Sequence, residues 1–96
     1  MTQWVLSLRA VEDLDQLADF LLDHLPHEAV RTVDLIVDAL HILEQHPRIG
    51  RPVEAGLREL VISRGKTGYL ALYEYDEPSD RVIVLALRHQ REQDYH

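Results

Sequence analysis

The spacing of apolar residues changes midway along this 96-residue chain, and this change limits the available folds more than any other feature. Between Leu8 and Pro47, apolar residues recur at steps of three and four, which is the spacing of one face of an α-helix. After Pro47 they alternate with polar residues, or run continuously, over short stretches bounded by turn residues, which is typical of β-strands. The sequence therefore predicts an α+β fold.

Two amphipathic helices are predicted in the first half. The first follows Ser7, a preferred N-cap residue, and ends before Pro26, because the residue preceding a proline is disfavoured in the α region. The second starts at His27 or Glu28 and ends by Pro47. Their apolar seams consist of Val11, Leu14, Ala18, Leu21 and Leu25 in the first helix and Ala29, Val33, Ile36, Leu40 and Leu43 in the second. The link is so short that the helices must pack side by side as a hairpin.

Four strands are predicted around this hairpin. One lies before the first helix, in the apolar run of residues 4–8, and the other three cover residues 57–63, 69–75 and 81–88. Residues 48–52 are predicted to be a loop, and residues 64–68 and 76–80 to be turns. Short turns between successive strands imply an antiparallel meander, so the predicted order is β-α-α-β-β-β.

The final strand carries a further constraint. Residues 82–87 are apolar at every position, so both faces of that strand need cover and the strand is expected to be central in the sheet. Two helices can cover only one face of such a sheet. The other face requires the C-terminal tail, a second copy of the chain, or another protein.

The composition excludes several classes of protein. A chain of 96 residues is expected to form a single domain over residues 1–96. Because it has no cysteine, it cannot carry a disulfide scaffold, a thiolate zinc site or a cysteine nucleophile, and this fits a reducing cytoplasm. Neither a secretory signal nor a membrane-spanning run is evident, so we expect a cytoplasmic protein without a membrane partner.

The charge of the chain is unevenly distributed. Residues 1–47 hold two bases and nine acids, a net charge of −7, whereas residues 48–96 hold eight of each. Within the second half, residues 48–73 carry five bases against two acids. The first half repels polyanions, while the stretch from residue 48 could contact them. The overall charge of −7 is far from the strongly basic balance that tight nucleic-acid binding normally requires.

Several strings of the chain, taken in order, resemble the RelE/ParE toxin superfamily. The strings are residues 6–10 (LSLRA) followed by 12–14 (EDL), 47–53 (PRIGRPV), 56–60 (GLREL), 69–75 (YLALYEY) and 82–91 (VIVLALRHQR), the last with a His-x-Arg end. Leu8 departs from the pattern, since a proline is common at that position. The order and spacing of the strings carry the resemblance, which spans nearly the whole chain.

The resemblance implies a partner and one of two activities. Members are neutralised by a small antitoxin in a hetero-oligomeric complex and use no cofactor or small-molecule substrate. ParE-like members poison DNA gyrase, whereas RelE-like members cleave mRNA in the ribosomal A site. The net charge of −7 and the ParE-like strings GRPV and LREL favour gyrase as the target and a ParD-type antitoxin as the partner. A toxin-fold protein without toxicity, serving only as an antitoxin-binding regulatory module, is a third alternative.

The candidate functional residues are basic residues near the ends of the predicted strands. We call them the basic rim, and they are Arg58, Arg64, Lys66, Arg88, His89 and Arg91. In a gyrase-binding toxin they would contact the target. RNA cleavage instead needs a general base, a general acid and cations beside the phosphate, and the candidates would be His89, Arg91, Arg64 and Lys66. The alternative is that these residues have no functional role, because a strand end exposed to solvent also carries polar and charged residues.

Two other groups of residues are predicted to be structural. The histidine pairs His24/His27 and His41/His46 lack the spacing of helical metal ligands and are interpreted as solvated helix ends, so no metal site is predicted. Tyr69, Tyr73 and Tyr75 share strand parity and are predicted to pack in the core or at an edge rather than to stack with bases.

Overall fold

The computed structural model describes residues 1–62 and 68–89, and its elements follow the predicted order. The helices are α1 (Leu8–His24) and α2 (Pro26–Ile42), and the strands are β1 (Gln3–Leu6), β2 (Arg51–Pro52), β3 (Arg58–Val61), β4 (Tyr69–Asp76) and β5 (Arg81–His89), with a 3₁₀ turn at Glu54–Gly56. The predicted α+β class is confirmed. Strand β2 is an addition inside the predicted loop, because two residues are too few to show an alternating pattern.

The five strands of the described chain form one mixed sheet in the order β1-β5-β4-β3-β2. Strands β3, β4 and β5 are successive antiparallel neighbours, as predicted for a meander. Strand β1 instead runs parallel to β5, with Gln3 opposite Arg81 and Leu6 opposite Val84. Strand β5 therefore lies between β1 and β4, which confirms the central position predicted from its apolar run.

The helix ends show why the two helices form a hairpin. Ser7 is the N-cap of α1, as predicted: its Oγ accepts a hydrogen bond from the Ala10 backbone N–H at 3.1 Å. Leu25 alone separates the helices, and Pro26 occupies the first turn of α2, one residue before the predicted start. A first-turn residue needs no N–H donor, so Pro26 both ends α1 and begins α2. Among the described residues, no helix is long and apolar enough to cross a bilayer.

One face of the sheet packs against both helices and forms the core. The buried core residues are Ala71, Tyr73, Val82, Val84 and Leu87 from the sheet and Ala10, Ile36, Leu40 and Leu43 from the helical half. In the β4–β5 register, Leu72 opposes Ala86 and Tyr73 opposes Val84, so β5 contains one extra residue. This β-bulge lets Val84 and Leu87 both face the core although they are three residues apart.

The opposite side of the sheet faces away from the helices, and we call it the open face. By the strand register, its members are Val5, Arg51, Glu59, Val61, Leu70, Leu72, Glu74, Asp76, Arg81, Ile83, Ala86 and Arg88. Leu70 and Ala86, at the middle of this face, are buried, whereas Val5 and Val61 on the outer strands are 42% and 46% exposed. Both helices thus lie on one side of the sheet, as predicted.

Candidate functional site

Tyr73 holds the segment after α2, residues 47–52, which we call the 47–52 loop. The Tyr73 hydroxyl donates to the Pro47 carbonyl oxygen at 2.8 Å and accepts from the Gly50 backbone N–H at 2.9 Å. Burial raises the pKa of Tyr73. A Cβ atom on Gly50 would lie 2.7 Å from both Cε1 and Oη of Tyr73, so this close approach requires glycine.

Arg58 is a member of the basic rim, and its guanidinium binds the 47–52 loop. The Nη1 atom of Arg58 donates to the carbonyl oxygens of Arg48 at 3.0 Å and of Gly50 at 2.9 Å. These carbonyls lie in the irregular segment between α2, which ends at Ile42, and β2, which begins at Arg51. In this structure Arg58 therefore stabilises the loop.

The two arginines within the 47–52 loop, Arg48 and Arg51, form ion pairs. Arg48 Nη2 lies 2.7 Å from Glu77 Oε2, and its guanidinium lies 4.9 Å from the centre of the Tyr75 ring. Arg51 Nη2 lies 2.6 Å from Glu59 Oε1, within the register that places Arg51 opposite Glu59. Both arginine side chains are largely exposed, so each pair contributes little stability, but each reduces the net positive charge of the loop.

Arg88 and His89 end strand β5 on opposite faces of the sheet, because successive strand residues alternate. Arg88 lies on the open face and lines a small cavity of about 40 Å³ together with Glu59, Leu70 and Leu72. His89 lies opposite Tyr69, and its ring meets the Tyr69 ring edge-on with the centroids 5.3 Å apart. Arg88 and His89 are therefore neighbours in sequence, but their side chains lie on opposite faces of the sheet.

Arg88 differs from the other described arginines of the β-half in its surroundings. It is half-buried, and its guanidinium makes no hydrogen bond or ion pair within the described part of the chain. In contrast, Arg48, Arg51 and Arg58 bind acceptors, and Arg81, at the start of β5, is exposed. Within residues 1–62 and 68–89, Arg88 is thus a half-buried cation with no ion pair.

The three described residues of the basic rim do not converge. Arg58 lies opposite Tyr73 and His89 opposite Tyr69, so they are separated by four positions along β4, or roughly 13 Å at strand spacing. Arg88 lies on the other face of the sheet. The remaining predicted residues, Arg64, Lys66 and Arg91, lie outside the described residues. A phosphate could not contact all three described side chains at once.

The tyrosines pack as predicted. Tyr73 is fully buried and Tyr69 nearly so, and Tyr75 packs partly buried against the core cluster. The Tyr75 hydroxyl donates to Asp80 Oδ1 at 2.8 Å, and this hydrogen bond raises the pKa of Tyr75. None of the three is therefore available as a base-stacking platform, because the helices occupy the face of the sheet that they share.

Two carboxylates that the sequence pattern did not single out tether the N-terminal strand. Glu44 Oε2 accepts from Trp4 Nε1 at 3.0 Å and lies 2.9 Å from His41 Nδ1, and the hydrogen bond with His41 is the main cause that lowers the pKa of Glu44. Asp80 accepts from Thr2 Oγ1 at 2.6 Å, which lowers its pKa. The contacts of Glu44 with Trp4 and of Asp80 with Thr2 join residues 40 and 78 positions apart in sequence, so no local pattern could reveal them.

The histidines do not form a metal centre in the described chain. His24 stacks on Phe20 with ring centroids 4.3 Å apart, and its Nδ1 lies 2.9 Å from the Phe20 carbonyl oxygen. His41 is engaged with Glu44, as described above. Over residues 1–62 and 68–89 there is no group of three or more metal-ligating side chains.

Sequence comparison identifies two close relationships. Residues 5–94 match the sequence profile of the ParE toxin of type II toxin–antitoxin systems, parDE. The Toxin RelE3 of Caulobacter vibrioides is 37% identical over 87 residues, which cover 91% of this chain and 92% of that protein. The profile match includes both helices, strands β2 to β5 and the second half of β1.

Solved structures share the fold over nearly the whole chain. The chromosomal ParDE system from P. aeruginosa has a TM-score of 0.78 and 25% identity, covering 93% of this chain and 96% of that one. The RelBE2 toxin–antitoxin complex from Mycobacterium tuberculosis has a TM-score of 0.63 and 26% identity, covering 93% and 98%. The intact E. coli RelBE complex, at 16% identity over 93% and 96% of the two chains and a TM-score of 0.56, shows the fold alone.

Proposed function

This chain belongs to the ParE toxin family of type II toxin–antitoxin systems, within the RelE/ParE superfamily, and we propose that it inhibits DNA gyrase and is neutralised by a ParD-type antitoxin. The proposed mechanism is that the toxin stabilises a complex of gyrase with cleaved DNA. This activity requires a binding surface and no cofactor. The protein would act in the cytoplasm, where the chromosome and its gyrase are found.

The observation that carries this proposal is the wide separation of Arg58, Arg88 and His89, the three residues of the basic rim that the structure describes. The Arg58 guanidinium binds loop carbonyls, while Arg88 and His89 lie on opposite faces of the sheet. A general acid, a general base and a phosphate-binding cation must all reach one reacting group, so the described residues favour binding over RNA cleavage.

The electrostatics support the same choice. The chain carries a net charge of −7, and seven units of negative excess lie in residues 1–47. Such a charge repels ribosomal RNA at distances comparable to the Debye length, about 8 Å at physiological ionic strength. A protein target such as gyrase imposes no comparable requirement for a basic surface.

A RelE-like ribonuclease is the second candidate, because the relative with 37% identity carries the name RelE3. In that case His89, Arg91, Arg64 and Lys66 would supply the acid, the base and the phosphate contacts. His89→Ala and Arg91→Ala would then abolish cleavage of mRNA at ribosomal A sites. Mapping of mRNA 5′ ends after induction of the toxin would show in-frame cuts.

A supercoiling assay with purified gyrase tests the proposal. We expect excess toxin to inhibit supercoiling of relaxed plasmid and to trap cleaved DNA, and we expect equimolar antitoxin to reverse both effects. Unaffected supercoiling without trapped cleavage, together with in-frame mRNA cuts, would establish the ribonuclease instead. Absence of growth arrest on expression without antitoxin would favour a non-toxic, antitoxin-binding module.

A further inference from the structure

The 47–52 loop is fixed from within, yet the aliphatic side chain at its centre is exposed. Tyr73 and Arg58 together bind three of its carbonyl oxygens and one of its N–H groups. The Ile49 N–H adds a hydrogen bond to the His46 carbonyl oxygen at 3.1 Å. The Ile49 side chain nevertheless remains 55% exposed. An exposed aliphatic residue is ordinary at a protein surface, but one whose backbone is held by a buried tyrosine is already in a fixed position.

The two arginines of the loop are also oriented by neighbouring side chains. Arg48 pairs with Glu77 while its guanidinium lies over the ring of Tyr75. Arg51 pairs with Glu59 across the β2–β3 ladder. Both arginine side chains are more than half exposed, and a guanidinium has five N–H donors, so each retains donors for an external acceptor. The loop therefore presents two oriented donors together with its aliphatic side chain.

Strand β2 restricts how a partner can bind here. It is the outermost strand of the sheet, next to β3, and such an edge is a template for an added strand. Pro52 makes up half of this two-residue strand and has no backbone N–H, so a continuous ladder of hydrogen bonds cannot form along it. A partner is therefore expected to contact the side chains of the loop and not to extend the sheet.

The charges near the loop favour a protein partner over a nucleic acid. The two arginines are balanced by the two carboxylates that they bind, so the loop offers a phosphate backbone no net positive charge. An exposed isoleucine gains nothing from a phosphate, whereas an apolar pocket removes its side chain from water. A protein surface with an apolar pocket bordered by hydrogen-bond acceptors matches both features of the loop.

We propose that the 47–52 loop is the surface with which the toxin contacts its protein target. Ile49 enters an apolar pocket of the target, and Arg48 and Arg51 donate hydrogen bonds to acceptors around that pocket. The buried Tyr73 is a positioning residue, because it holds the loop in place and thereby lowers the entropy cost of binding. This inference rests on the proposed gyrase target and names the part of the toxin that binds it.

Inhibition of purified gyrase tests the contribution of the loop. Ile49→Ala should raise the toxin concentration for half-inhibition of supercoiling by about tenfold, and Arg48→Ala should raise it by about fivefold. The matched controls are Leu22→Ala, at a position 58% exposed on α1, and Arg31→Ala, at an exposed position on α2, and each should change it by less than about twofold. All four residues are exposed, so circular dichroism should show native melting temperatures within a few degrees.

Cysteine labelling locates the contact directly, since the chain has no native cysteine. Ile49→Cys probes the loop, and Leu22→Cys is the control. Each variant is treated with a maleimide alone and with saturating gyrase, and the modified toxin is quantified by mass spectrometry. Labelling at position 49 should slow by about tenfold or more in the complex, because a covered thiol reacts only when the complex opens. Position 22 should label at an unchanged rate.

The outcomes separate this inference from the function on which it rests. Unchanged labelling at position 49 in a complex that forms, or equal inhibition by Ile49→Ala and the native toxin, would overturn the loop contact and leave gyrase as the target. A loss of inhibition in Arg48→Ala but not in Ile49→Ala would indicate contact with DNA phosphates and would also overturn it. Failure of the native toxin to bind gyrase would overturn the proposed target itself, and this inference with it.

Discussion

The two faces of the sheet use arginine in opposite ways. On the helix-facing side, Arg58 donates hydrogen bonds to two carbonyl oxygens of the 47–52 loop, and the Tyr73 hydroxyl donates to a third. These hydrogen bonds fix the loop to strands β3 and β4. On the open face, Arg88 is half-buried and makes no ion pair within the described chain, and it lines a cavity of about 40 Å³. Every fully buried side-chain nitrogen and oxygen in the described chain has a hydrogen-bond partner.

This difference separates residues that build the fold from residues available to a partner. A charge satisfied by backbone carbonyls changes the stability of the chain when it is removed, because it leaves those carbonyls without a donor. A charge without an internal partner contributes little to folding, yet it can contribute strongly to binding when a partner buries it beside a carboxylate. Substitutions on the two faces should therefore affect different measurements.

The largest effect on stability is expected at Gly50, in the 47–52 loop that packs against Tyr73 on the helix-facing side of the sheet. Gly50→Ala places a methyl group 2.7 Å from the Tyr73 ring and hydroxyl, so the loop must move and its hydrogen bonds must lengthen. We expect a loss of about 3 kcal/mol in the free energy of unfolding, measured by urea denaturation. Gly56→Ala is the control: it has open space around its Cβ but a φ of +75°, and should cost only about 1 kcal/mol. Equal losses would show that the Tyr73 contact is not critical.

Removal of the Tyr73 hydroxyl should have the next largest effect. Tyr73→Phe keeps the ring in the core but leaves the Gly50 N–H and the Pro47 carbonyl without their partner. The expected loss is about 2 kcal/mol, because a polar group that stays buried is left unpaired. Tyr75→Phe removes a more exposed hydroxyl and should cost less than about 1 kcal/mol. A smaller loss for Tyr73→Phe than for Tyr75→Phe would contradict the account of the loop.

The fold was largely predictable because its signals are local. Helical spacing, the Ser7 cap and the apolar run of β5 each depend on neighbouring residues, and they fixed the element order and the centre of the sheet. The bulge at Leu85 and strand β2 escaped prediction. A bulge in a wholly apolar run changes no pattern of polarity, and a two-residue strand is too short to create one.

The functional site was less predictable, because the sequence shows which residues are charged but not which groups they bind. Arg58 and Arg88 look alike in sequence, since each lies in a predicted strand. Arg58 nevertheless binds carbonyls eight and ten residues away, whereas the Arg88 side chain makes no hydrogen bond within the described residues. Arg51 was not assigned to the basic rim, although it lies beside the open face and binds Glu59. Such roles depend on contacts between distant residues, which periodicity does not encode.

A direct comparison of Arg58→Ala with Arg88→Ala sharpens the contrast between the faces. Arg58→Ala should lower the free energy of unfolding by about 1 kcal/mol, because two loop carbonyls lose a charged donor that is partly exposed. Arg88→Ala should leave the free energy of unfolding within about 0.5 kcal/mol of the native value. Urea denaturation of both variants checks this, and a larger loss for Arg88→Ala would show that the open face is not free for a partner.

The smallest expected effect concerns pH and the carboxylates that tether β1. The pKa of Glu44 is lowered in the folded chain by its hydrogen bonds with His41 and Trp4, and that of Asp80 by hydrogen bonds from Thr2 and Tyr75. A carboxyl whose pKa is lower when folded contributes stability above its unfolded pKa, and this contribution is lost as the pH falls through the folded pKa. The native chain should therefore lose stability from about pH 5 downward, where free carboxyl groups begin to protonate.

The double variant Glu44→Gln, Asp80→Asn isolates this contribution. The amide side chains of this variant do not titrate, so its hydrogen bonds at these two positions do not change with pH. Its melting temperature should therefore fall less steeply than that of the native chain between about pH 5 and pH 3. The two curves should approach each other at the acidic end and diverge toward neutral pH, where only the native chain has both charged acceptors. Parallel curves over this range would mean that the hydrogen bonds of Glu44 with Trp4 and of Asp80 with Thr2 do not depend on the charge of the carboxylates.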